Sequence, residues 1–93
     1  MIDDYEVQIG LDHGRYTYPV YVAFCDAVGT DGEGSTPEKA VADFWKEVAY
    51  DIKDFQRKPA ETLSAVETEE LGALLELCRR NGKEDACVPK RNG

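Results

Sequence analysis

Residues 34–55, GSTPEKAVADFWKEVAYDIKDF, decide the fold, because they read as one amphipathic helix with a marked beginning. Thr36 can cap it with Pro37 at the first helical position, where a missing N–H costs nothing. Equally, Ser35 can cap it with Glu38 closing a capping box. Ala40, Val41, Phe44, Trp45, Val48, Ala49, Ile52 and Phe55 recur at helical spacing and form one broad apolar stripe. Burying each of its large side chains is worth roughly 1.5–3 kcal/mol before conformational entropy is charged against it. No other segment offers as much, so the core is expected on this face. Asp43, Lys46, Glu47, Asp51, Lys53 and Asp54 are expected on the opposite, exposed face.

Upstream, Tyr5–Asp12 alternates, with Tyr5, Val7, Ile9 and Leu11 to one side, which predicts a half-buried strand. His13-Gly14 predicts a tight hairpin turn. Arg15–Asp26 predicts a second strand, with Tyr16, Tyr18, Val20, Val22 and Phe24 on one face and Thr17, Tyr21, Ala23 and Cys25 on the other. Both of its faces are apolar enough to be covered, and Pro19 suggests an edge or a bulge. The Gly-rich stretch Ala27–Gly34 predicts a turn and a short third strand. Gln56–Pro59 ends the long helix. Ala60–Asn81 reads as a second helical region with a break near Glu67-Thr68, Thr68 serving as N-cap. Leu71, Leu74, Leu75, Leu77 and Cys78 would be its apolar face, and Asn81-Gly82 its stop. The expected architecture is α+β: a three-stranded antiparallel meander, an amphipathic helix on one face and a second, C-terminal helical segment. Residues 1–82 would form one domain and 83–93 a polar tail.

The totals narrow the function. Ninety-three residues make one domain with a modest core. No stretch approaches the ~20 apolar residues of a membrane span, and the acidic start MIDDYE lacks a signal peptide's apolar region, so a cytosolic protein is expected. Three cysteines without C-x-x-C, and His13 as the one histidine, give no zinc pattern. Reduced thiols are expected, with a Cys78–Cys87 bridge open only to a folded-back tail in an oxidising compartment. Neither metal nor cofactor is called for. His13 and Cys25 stand about twelve residues apart along one strand at ~3.3 Å each, so they cannot form a catalytic pair within a protomer. Asp31 and Glu33 would repel a phosphate from the Gly-rich loop. The expectation is a protein that is not an enzyme.

The net charge of −8 is unevenly placed: residues 1–38 hold eight acids against Arg15 alone, whereas residues 57–93 balance. Such a chain is unsuited to binding nucleic acid or anionic membrane directly, and suited to a partner with a basic surface. The spacing of Asp43, Glu47 and Asp51 predicts an exposed file of carboxylates about 5–6 Å apart, with Asp54 beside it. Continuous with Asp31 and Glu33, that file could imitate a nucleic-acid backbone. Of the tyrosines, with Tyr18 and Tyr21 the candidates, any on the sheet face that the helix leaves open would be an interface anchor.

Two motifs carry resemblances. Tyr21-Val22-Ala23-Phe24-Cys25-Asp26, the Gly-rich turn, and Ser35-Thr36-Pro37-Glu38-Lys39-Ala40 resemble the N-terminal domain of HicB-type antitoxins over residues 5–55. That implies antiparallel strands, a G-x-T-x-E-E-A-like helix start and a partly degraded ribonuclease-H-like fold, with a small basic toxin as partner. Gly32-Glu33-Gly34-Ser35 followed by Ala40 is similar to the last strand-to-helix junction of double-stranded-RNA-binding domains, but Pro37-Glu38 replace the phosphate-gripping lysines. In size, charge and style the chain also looks like the small phage proteins that block host defence, anti-CRISPR proteins among them. The function expected is therefore a non-catalytic inhibitor of a basic, nucleic-acid-handling protein. A HicB-like antitoxin, or a domain that pairs with its own copy, is the alternative.

Overall fold

The structure, a computed structural model, describes residues 5–12 and 19–83. Strands β1 (Gln8–Asp12), β2 (Val20–Phe24) and β3 (Asp31–Gly34) form an antiparallel sheet in the order β1-β2-β3. Helix α1 (Pro37–Arg57) follows, then a 3-10 turn at Ala60–Thr62 and helix α2 (Ala65–Arg80). The α+β architecture expected of the sequence is the one observed. Among the described residues no helix is long and apolar enough to cross a membrane.

Of the two ways to start α1, the Thr36 cap is the one adopted: Thr36 is extended, its hydroxyl accepts the Lys39 N–H at 3.2 Å, and Pro37 opens the helix. The helix stops because Lys58, pushed to extended backbone by the following Pro59, donates its N–H to the Phe55 carbonyl at 3.2 Å. Ala40, Phe44, Val48 and Ile52 are buried along its inner face. They meet Ala23 and Cys25 from the sheet and Leu74, Leu77 and Cys78 from α2 in one core cluster. Trp45 packs against this cluster half-buried, its ring edge-on to Phe44 at 5.1 Å.

The glycines of β3 explain how closely α1 lies. Register pairs Ala23 with Gly32 and Tyr21 with Gly34, so both glycines face the helix. A methyl group on Gly32 would collide with the Phe44 backbone and sit 2.7 Å from the Ala40 carbonyl oxygen. One on Gly34 would sit 2.6 Å from the Ala40 nitrogen. Strand and helix backbones touch there with no side chain between them.

Three expectations need correction, and a fourth, the His13-Gly14 turn, lies outside the described residues; register sets Asp12 opposite Val20. Residues 13–18, Tyr16 and Tyr18 among them, lie outside the described residues, as do Cys87 and the tail beyond Lys83. Ile9 and Leu11 share the helix side with Ala23 and Tyr21 yet stay 47% and 48% exposed, because α1 crosses β3 and β2 and leaves β1 uncovered. The break before α2 falls at Ser64, not Glu67-Thr68: Ser64 Oγ accepts the Glu67 N–H at 3.1 Å while Glu67 Oε1 accepts the Ser64 N–H, a complete capping box. Thr68 sits inside the helix, its hydroxyl donating to the Ser64 carbonyl. Last, Tyr21 lies on the covered face: it is half-buried against the core, not on a face the helix leaves open.

The stop at Asn81-Gly82 holds. Gly82 takes φ +66°, and the Lys83 N–H reaches the Cys78 carbonyl at 2.8 Å, a Schellman arrangement. Asn81 Nδ2 donates to the Tyr5 carbonyl at 3.3 Å, and the Arg80 guanidinium lies 4.4 Å from the Tyr5 ring, tying the end of α2 to the start of the chain.

Candidate functional site: an acidic groove

At the end of the molecule where β2 turns into β3, α1 and α2 leave a groove of about 650 Å³. Three separate parts of the chain build it. The turn after β2 is closed by the Val28 N–H donating to the Cys25 carbonyl at 3.2 Å, and it brings Asp26, Val28 and Thr30 to one wall. The last turns of α1 contribute Asp51, Asp54 and Phe55. The middle of α2 contributes Glu70 and, one turn on, Leu74.

The groove has an apolar floor and an acidic rim. Leu74 is buried, and Val28 and Phe55 are half-buried against the core. Asp26, Asp54 and Glu70 are exposed above them. Asp51 is half-buried, because its Oδ2 accepts the Thr30 hydroxyl at 2.6 Å and so ties the turn to α1. Asp26 accepts from Gln8 Nε2 at 3.2 Å. Among the described residues, no Lys, Arg or His lines the groove. The nearby cation Lys58 pairs with Glu67 at 3.1 Å, and Arg79 and Arg80 both donate to Glu76, further along α2. The pKa of Lys58 is raised, first by the hydrogen bond to Glu67, and that of Glu67 is lowered by the same bond.

The carboxylates singled out from the sequence are divided by the structure. Asp43, Glu47 and Asp51 do not form an exposed file, since all three are half-buried where α1 borders β3. Asp43 Oδ2 accepts the Glu33 N–H at 2.9 Å, occupying the outer edge of β3 as Asp51 occupies Thr30. Like charges along the helix cost a few tenths of a kcal/mol, and these two bonds supply the reason for them. Asp54 stands on the groove rim. Asp31 (exposed) and Glu33 (half-buried) lie on the sheet face turned away from α1. The groove therefore unites Asp51 and Asp54 with Asp26 and Glu70, which sequence reasoning missed. Asp26 carried no local signal beyond its place at a strand end.

A second, smaller concavity of about 340 Å³ lies between Ile9 and the start of α1 at Pro37, Glu38 and Val41. Among the described residues no cluster of three or more His, Cys, Asp or Glu is arranged to hold a metal ion. No family model matches the chain, nor does any curated protein or solved structure.

Proposed function

We infer that the chain is a small acidic, non-catalytic binding protein that inhibits a basic, nucleic-acid-handling protein by occupying part of its nucleic-acid surface. The observation that carries this is the groove: carboxylates from three parts of the chain meet there, with no basic residue among the described residues that line it. Such an arrangement attracts a cationic surface and repels phosphate. A cytosolic setting in a bacterium, with a phage as the source, fits the likeness in size and charge to proteins that block host defence.

A tagged chain incubated with bacterial lysate at low salt tests it. Supporting the reading, a nucleic-acid-handling protein is retained, then released both by raised salt and by added double-stranded DNA. Release by neither overturns mimicry. Charge reversal belongs at Asp31, Asp54 and Glu70, which are exposed, rather than at Asp43 and Asp51, whose bonds hold the fold.

One observation favours a HicB-like antitoxin as a second reading. Ile9 and Leu11 are exposed apolar side chains on one face of β1, Ile9 beside Pro37 and Val41, and a toxin seated there would resist salt.

A further inference from the structure

We propose, resting on the reading of the chain as a binder of a basic protein, that the groove takes a short extended segment of that partner bearing one apolar side chain between its cations. A surface that only imitated a nucleic-acid backbone would be carboxylate throughout. This groove is not: beneath Asp26, Asp54 and Glu70 lie Val28, Phe55 and Leu74. Its volume of about 650 Å³ falls within the roughly 300–1,000 Å³ of pockets that enclose a ligand.

The two layers have separate tasks. Exposed ion pairs at the rim contribute little affinity each, but they speed and orient the approach of a cation. Desolvation of one apolar anchor on the floor supplies the specific affinity and sets the rate of departure. The Asp51–Thr30 bond holds the turn against α1, so the floor exists before the segment arrives. A run of lysines or arginines without an anchor fills only the rim, and a nucleic acid meets the wrong charge at every wall. The segment selected is therefore both basic and amphipathic.

Fluorescence anisotropy with two labelled pentapeptides tests this on the full chain. The probes are Arg-Arg-Leu-Arg-Arg and Arg-Arg-Gly-Arg-Arg, each titrated at low and high salt. The leucine peptide is expected to bind about tenfold or more tightly, the worth of one buried apolar side chain. That preference should survive raised salt while both affinities fall. Backbone amide shifts in the unmodified protein should gather at Val28, Thr30, Asp54 and Glu70. Equal binding of the two peptides, with shifts scattered over Asp31, Glu33 and Glu47, overturns the groove and leaves the acidic-binder reading standing. A leucine preference with shifts at Ile9 and Val41 overturns the groove in favour of the β1 side. Binding of neither peptide at low salt overturns the groove and the acidic-binder reading together.

Discussion

The two halves of α1 meet the rest of the molecule in opposite ways. In the first half, at Lys39, Ala40 and Phe44, the helix lies directly on β3 through Gly32 and Gly34. Beyond Ile52 it stands away from the turn, bridged by the Thr30–Asp51 bond, and the groove opens there. The first half is set against β3 by close backbone packing, whereas the tie between the second half and the turn is one hydrogen bond. Between β3 and the first half nothing can be admitted, because close-packed backbones have nothing to yield, and the groove forms at the second.

Gly32→Ala breaks the comparison most directly. The added methyl group meets backbone atoms of Phe44 and Ala40, which cannot rotate away as a side chain would. A loss of about 3 kcal/mol or more is expected in urea unfolding, at or beyond the upper end for overpacked sites. Gly72→Ala is the control: an added methyl group there meets nothing within 4 Å on α2, so a gain of up to ~1 kcal/mol is expected. Equal effects at the two positions would mean that the close approach of β3 and α1 is not what holds the helix.

Asp43→Ala comes next. It removes the carboxylate that accepts the Glu33 N–H at 2.9 Å, and a cost of about 1–2 kcal/mol is expected in the same unfolding experiment. Asp54→Ala, on the exposed rim, should change stability by less than about 0.5 kcal/mol. If the two cost the same, the division between fold-holding and outward carboxylates fails.

Ser64→Ala is expected to cost about 1 kcal/mol, the usual worth of an N-cap, and to loosen the part of α2 that brings Glu70 to the groove. Hydrogen exchange should show the loss concentrated at Glu67–Leu71. Uniform loss across both helices would mean that α2 is held by packing alone.

What was legible follows from where the signals sit in the chain. Helix α1 was readable because an eight-residue stripe and a Thr-Pro start are local, and both recur in the structure. The start of α2 was also present in the sequence, as Ser64-Ala65-Val66-Glu67. Thr68 offers the same cap chemistry but has Leu71 where a capping box needs Glu or Gln, and that decides between them. Gly32 and Gly34, two apart in the expected third strand, announce a bare face against which another backbone can lie, a consequence of their spacing that the sequence reading did not draw. The strand register was beyond reach, because it depends on pairing Asp12 with Val20 across residues that a local turn signal does not count. The groove was beyond reach for a related reason: residues near 26, 54 and 70 meet only after both helices have packed, and no spacing encodes that meeting.

The smallest effect concerns where α2 keeps its positive charge. Glu70 lies on the groove and Arg79 and Arg80 end the helix, about 14 Å further along the axis at 1.5 Å per residue. Glu76 holds both arginines there, accepting from Arg79 Nε at 2.8 Å and Arg80 Nε at 2.7 Å. Its carboxyl is lowered to about 2 by the hydrogen bond from Arg79 first and that from Arg80 second. A carboxyl whose pKa is depressed by folding stabilises the folded state above its unfolded value, here 4.5, and loses that contribution as pH falls through about 2. Glu76→Gln should therefore melt slightly below the parent protein at neutral pH, and the difference should close between pH 4.5 and 2. The difference stays small because all three side chains face water. A gap that persists unchanged at pH 2 would mean that Glu76 acts through packing, and that the arginines do not depend on its charge to stay at the far end from the groove.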